Sequence, residues 1–130
     1  MWVVYVAALF IGQMSGFDQF RWNNRVLLIA GEEKQAEQQL RKFLVLSEEL
    51  SDRELLVFTP APSGWICRNC EDITVVKDTE LTTNASLSVW LIGKDGGIKL
   101  YKNEAVDPNQ LFNLIDSMPR RQTEMNRKEN

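Results

Sequence analysis

Histidine does not occur anywhere in these 130 residues, and cysteine occurs only twice. The first absence removes Ser-His and Cys-His nucleophiles, a His general base and every His-containing metal site. A catalyst built from this chain has only Cys, carboxylates, Lys or Tyr to work with. A large excess of either charge is missing as well: 15 Lys and Arg stand against 18 Asp and Glu, a net charge of −3, with acids and bases mixed along the chain. That leaves no basic footprint for nucleic acid. The apolar run Met1–Ile11 falls short of the roughly 20 residues a helix needs to cross a bilayer. What remains is a chain of single-domain length. With 44% hydrophobic and 25% charged residues it can fill an ordinary core and does not read as disordered.

Met1–Gly16 carries no charge, and its apolar run has the length of a secretory h-region, with the small residues Ser15 and Gly16 as a cleavage zone. The Lys or Arg that usually precedes such a run is missing. The expectation is a signal peptide over 1–16, a domain over 17–125 and a polar tail over 126–130. The alternative for the first segment is a buried N-terminal strand.

Within the domain, Arg25–Ala30 contains Val-Leu-Leu-Ile without alternation, which suits a strand covered on both faces. Gly31 ends it. From Glu32 a helical period begins, with Ala36, Leu40, Phe43, Leu44 and Leu50 on one face and Glu33, Glu37, Arg41, Lys42 and Glu48 on the other. Ser51-Asp52-Arg53 turns into a second apolar strand, Glu54–Thr59. Pro60-Ala-Pro-Ser-Gly then interrupts regular structure, and Ile73–Val76 has the residues of a short edge strand. Leu87–Tyr101 is the clearest hairpin, two strands joined by Gly-Lys-Asp-Gly-Gly. Asp107-Pro108 is a helix start, cap followed by first-turn proline. Leu111, Leu114, Ile115 and Met118 form the buried stripe of that helix, and Pro119 ends it. The tail Arg120–Asn130, with Arg120, Arg121, Glu124, Arg127, Lys128 and Glu129, reads as a solvated extension with scope for some helix. Strand-helix-strand followed by strand-strand-helix predicts an α/β domain with a thioredoxin-like core, a mixed sheet flanked by helices.

Three segments carry a family resemblance: Asp18–Ala30, Leu91–Leu100 and Leu111–Met125, with Ile-Asp-Ser-Met-Pro-Arg-Arg in the last. They are similar to a small bacterial domain of unknown function, the prokaryotic DUDES domain. Related domains occur in animal secreted proteins of the sushi-repeat and coiled-coil-domain types. The resemblance implies a thioredoxin-like fold in an exported protein. It supplies no catalytic residues, and the Cys pair lies outside its pattern.

Cys67 and Cys70 have the Cys-x-x-Cys spacing of thiol–disulfide exchange. A catalyst of that kind places its attacking Cys at the helix start after the first core strand, where backbone N–H groups and the macrodipole stabilise a thiolate. Gly31-Glu32-Glu33-Lys34 occupies that position here and holds no thiol. A peroxidatic Cys, needed at the same helix start, is missing for the same reason. The pair instead follows the second strand and precedes the β-formers Ile73–Val76. It is open to three readings: a structural disulfide, a displaced redox pair, or two separate thiols. Two Cys alone make half a zinc ligand set.

Arg21, Arg25, Lys94 and Asp95 form a candidate polar patch, although Lys-Asp-Gly-Gly is also ordinary turn chemistry. Trp22 and Trp65, flanked by polar residues, are groove candidates for which packing is the better reading, and Trp90 reads as core. Glu32 and Glu33 read as first-turn helix acids. Asn84-Ala85-Ser86 is a glycosylation sequon by pattern. The sequence points to no catalytic, cofactor-binding or metal-ligating residue. The expected function is that of an exported, periplasmic or extracellular, non-catalytic module. Its partner would be a protein or a small ligand, not nucleic acid, and it would have no membrane span once the signal is removed. The alternative is a thiol–disulfide oxidoreductase using Cys67 and Cys70.

Overall fold

The computed structural model describes residues 15–77, 81 and 83–129. The expected signal segment therefore lies, through residue 14, outside the described residues. After a 3-10 helix at Ser15–Phe20, the elements run β1 (Arg25–Gly31), α1 (Glu33–Leu44), α2 (Ser47–Asp52), β2 (Leu55–Ala61), β3 (Gly64–Cys67), β4 (Val75–Lys77), β5 (Leu87–Ile92), β6 (Ile98–Lys102), α3 (Pro108–Asp116) and α4 (Pro119–Glu129). The strands form one mixed sheet in the order β4-β3-β2-β1-β5-β6. β1 and β2 are parallel; the other neighbouring pairs are antiparallel. This is the expected α/β class, and the order β6-β5-β1-β2 is compatible with a thioredoxin-like core.

The continuous apolar runs have the burial they call for: β1 is buried from Arg25 to Ala30 and β5 throughout. Leu27, Ile29, Val57, Val89 and Leu91 face the helices, packing with Leu40, Phe43, Leu50, Leu111, Phe112 and Ile115. Val26, Leu28, Ala30, Phe58 and Trp90 face the other way and pack with Phe17, Trp65 and Val76. Phe17, from the 3-10 helix, sets its ring edge-on to Phe58 at 5.2 Å. Asp107 caps α3 by accepting from the Asn109 N–H, with proline in the first turn.

Three expectations need correction. The single long helix after β1 is two helices. α1 stops at Leu44, Leu46 leaves the helical conformation (φ −107°, ψ 48°), and Val45 is left facing solvent. The stretch after Thr59 is not irregular: Pro60 and Ala61 finish β2, and Pro62-Ser63 turn the chain directly into β3. Proline is tolerated because Arg68 N donates to Val57 O, which fixes the ladder phase. A main-chain donor at position 60 would then point away from β3, toward β1, whose pairing with β2 ends at Phe58. Gly64 follows the turn at φ +152°, where a Cβ would run into the Val76 carbonyl. Lastly, the C-terminal stretch is not solvated throughout: one face packs inward, while Asn126, Arg127 and Lys128 stay exposed. It is α4, and its Arg121 is buried.

Candidate functional site

The two ends of the parallel pair differ in kind. At the carboxyl end, β1 and β2 finish beside an open crevice of about 520 Å³. Its walls are Ala30, Gly31 and Glu32 leaving β1, Pro60 of β2, Gly64 and Trp65 of β3, Trp90 of β5, and Leu81 with Thr83–Ala85 from the segment leading into β5. Open α/β sheets place ligand crevices at the carboxyl ends of their strands, and the volume is in the range of small-ligand sites. Gly31 is required here: at φ +143° it lies against the Ser86 carbonyl, and the next residue, Glu32, donates its N–H to that same oxygen at 2.8 Å. The rim loop is ordered by hydroxyls. Thr83 Oγ1 accepts from the Ala85 N–H at 3.0 Å and lies 2.6 Å from Ser88 Oγ, which donates to Asn103 at 2.8 Å.

Trp65 and Trp90 meet edge-to-face at 6.1 Å and are both nearly buried. Each therefore belongs to the core and to the crevice at once. Glu32 is the one charged residue lining the crevice among the described residues; its carboxylate accepts from Gln35 Nε2 at 3.0 Å. Asn84, the sequon residue, is exposed at the rim. Trp22 lies elsewhere, with the Arg120 guanidinium 4.9 Å above its ring.

Cys67 and Cys70 form a disulfide. It is not at a helix start. Cys67 ends β3 opposite Phe58, level with the middle of β2, so the pair lies toward the opposite end of the sheet from the crevice. The two residues inside the ring are tied to β2. Arg68 N donates to Val57 O at 2.7 Å. Asn69 Oδ1 accepts from Val57 N at 2.8 Å, and its Nδ2 donates to Leu55 O at 3.0 Å. The asparagine amide thus stands in for a strand residue and continues the ladder along β2.

At the amino end, two of the four candidate patch residues, Arg25 and Lys94, come together inside the molecule, while Arg21 and Asp95 stay exposed. Arg25, buried, holds the Glu124 carboxylate with both terminal nitrogens, at 3.2 and 3.3 Å. Lys94, also buried, donates to Glu124 and to Glu54, each at 2.7 Å. Arg121 joins Asp116 at 2.9 Å and Asp52 at 2.6 Å, and Arg53 joins Asp116 at 2.8 Å. Lys128 also pairs with Asp52. Arg21 donates to the Asp95 carbonyl at 3.1 Å and lies over the Trp22 ring at 5.8 Å, and the Asp95 carboxylate serves Lys99 and the Gly97 N–H.

Bonds from Lys128 and then Arg121 hold Asp52 down at about 2. Burial pushes Glu124 and Asp116 up, but the cations bonded to them outweigh it, and both stay below the usual carboxylate range. Sequence reasoning did not find Asp52, Arg53, Asp116, Arg121 or Glu124. Partners as far apart as Arg25 and Glu124, 99 positions, leave no local pattern.

Among the described residues no group of acids and cysteines is placed to hold a metal ion, and no helix is long and apolar enough to cross a membrane. The family model described as a domain of unknown function, DUF4174, matches residues 16–124, and the chain belongs to that family. No curated protein and no solved structure matches it.

Proposed function

We propose that this DUF4174 domain is an exported, non-catalytic binding module of thioredoxin-like build that takes its ligand in the crevice between Trp65, Trp90, Glu32 and Thr83–Ala85. One observation carries the non-catalytic half: the position a thiol would need, at the start of α1 beside the crevice, holds Gly31 and Glu32, while the disulfide is tied into β2 away from it. The strand order and the resemblance of Asp18–Ala30, Leu91–Leu100 and Leu111–Met125 to the DUDES domain support the thioredoxin-like build. A disulfide, together with the uncharged apolar stretch ahead of Phe17, supports an oxidising, extracytoplasmic setting.

The oxidoreductase reading keeps one observation in its favour, the Cys-x-x-Cys ring itself. Equilibration against glutathione separates the two. A potential below about −300 mV, with no acceleration of insulin reduction by dithiothreitol, supports the binding module. A potential between roughly −120 and −270 mV with turnover in that assay sinks it in favour of exchange chemistry. Binding is tested by following the indole Nε1–H resonances of Trp65 and Trp90 against a panel of small ligands and peptides. Ala85→Trp, which fills the crevice, should abolish any shift.

A further inference from the structure

The sheet has two outer strands, and they are protected unequally. β6 carries exposed Lys99 and Lys102, the charged side chains by which natural edges resist pairing. β4 is different. Cys67 N donates to Thr74 O at 2.9 Å, and Ile66 stands opposite Val75. That phase turns the main-chain groups of Thr74 and Val76 inward to β3 and leaves those of Ile73, Val75 and Lys77 facing the open edge. The side chains of these same three residues share one face of the ribbon. Ile73 is 91% exposed and Val75 38%, with no charge between them. Glu71 and Asp72 precede the apolar pair, Lys77 follows it, and all three are exposed.

We propose that Glu71–Lys77 pairs antiparallel with the same segment of a second copy of this chain, giving a weak symmetric dimer with one sheet continuous across both copies. The charge order selects this occupant. Centred on Thr74, an antiparallel alignment sets Ile73 opposite Val75 of the second copy, twice. It also sets Glu71 opposite Lys77, twice, as an isologous interface requires. The pairs Ile73–Val75 and Glu71–Lys77 fall at positions whose main-chain groups face outward, so the ladder and the side chains agree in phase. A parallel alignment would lay acid on acid. The contact is short, which puts it at the weak end of specific interfaces. The disulfide anchors the start of the segment by closing the loop between Cys67 and Cys70.

Sedimentation velocity of the purified full chain from about 10 µM to about 1 mM tests this, the upper limit being where binding free energy has become marginal. The wild type should pass from monomer toward dimer over that range. Ile73→Lys should weaken association about tenfold or more, since it places two like charges at the seam. Lys77→Glu alone and Glu71→Lys/Asp72→Lys together should each remain monomeric, because each meets its own sign across the two-fold. Mixed in equal amounts, these last two should recover the dimer. Circular dichroism on each variant checks the fold, and Glu71, Asp72, Ile73 and Lys77 are exposed enough for it to survive. A wild type monomeric to about 1 mM overturns the proposal. So does a dimer indifferent to Ile73→Lys and the charge reversals, or a mixture of folded variants that fails to associate.

Discussion

The amino end of the parallel strands holds most of the molecule's buried charge, and the carboxyl end holds almost none. At the first, Arg25, Arg53, Lys94 and Arg121 are buried with Asp52, Asp116 and Glu124 around them, and α4 closes over the group. At the second, an open crevice is lined by indoles, glycine, alanine and proline, with Glu32 as its charged member. Clusters of charged residues invite a functional reading, yet here each buried cation has its carboxylate within the chain. The cluster is therefore a closure. The crevice at the carboxyl end forms where glycine lets two backbones approach and the side chains are small or flat. The amino end's own opening, of about 490 Å³ beside Asn24, Glu48, Glu54 and Asn69, lies outside the charged cluster. For this fold, an uncovered crevice is a better pointer to a site than a cluster of charge.

Three changes would break the closed end. The largest effect is expected from Glu124→Gln, which leaves Arg25 and Lys94 buried opposite a neutral group. Loss of one partner from a buried pair costs about 3–5 kcal/mol, to be read as a lower urea midpoint at unchanged slope. Arg121→Ala should follow closely, since it strips Asp52 and Asp116 of a shared partner and removes a packed side chain.

Acid should act on the same end. The carboxyls of Asp52, Asp116 and Glu124 are depressed in the folded state. Between the unfolded and folded values the unfolded chain binds more protons, so their contribution is complete above their ordinary values of 3.8 to 4.5. It is lost as the pH falls toward 2, the value for Asp52. The indole Nε1–H of Trp22, under Arg120 of α4, should report that loosening before those of Trp65 and Trp90 do. Simultaneous movement of all three would mean the two ends are one cooperative unit.

What could be read from the chain beforehand divides along physical lines. β1, β5 and the β5–β6 hairpin declared themselves because continuous burial and turn chemistry are local properties. Asp107-Pro108 did so because a cap is defined by its immediate neighbours. The edge position of β4 was also legible, from Ile73–Val76 following a broken segment. The β2–β3 hairpin was not, because Pro60 and Pro62 look like breakers until the ladder shows that no donor was needed there. The docking of α4, not its helicity, was missed because its inward face is charged: Arg121 and Glu124 have the spacing of a surface helix, and only distant Arg25, Asp52 and Lys94 turn them inward. Two carboxamides were invisible for the same reason. Asn69 plugs β2, and Gln39 pairs with both main-chain groups of Val106 at 2.9 and 2.7 Å.

The open end should prove much less sensitive, and two substitutions grade that difference. Cys67→Ser/Cys70→Ser, which touches neither end directly, removes a four-residue loop closure worth about 2 kcal/mol in the chain-entropy account. The Asn69 amide bonds to Leu55 and Val57 should keep part of the ribbon in place, so the measured loss should come out at or below that figure. A loss well above it would mean the disulfide is what holds Asn69 on β2. Ala85→Trp is expected to be the mildest. Ala85 is half-exposed on the rim, and the added indole enters space that is already empty, so it should change stability by no more than about 0.5 kcal/mol. If it destabilised the fold as much as Glu124→Gln does, the crevice would be packing space in a strained core, and the contrast between the ends would collapse. A neutral Ala85→Trp whose Trp65 and Trp90 indole resonances no longer answer to any ligand of the wild type would leave the carboxyl end as the surface on which this domain binds.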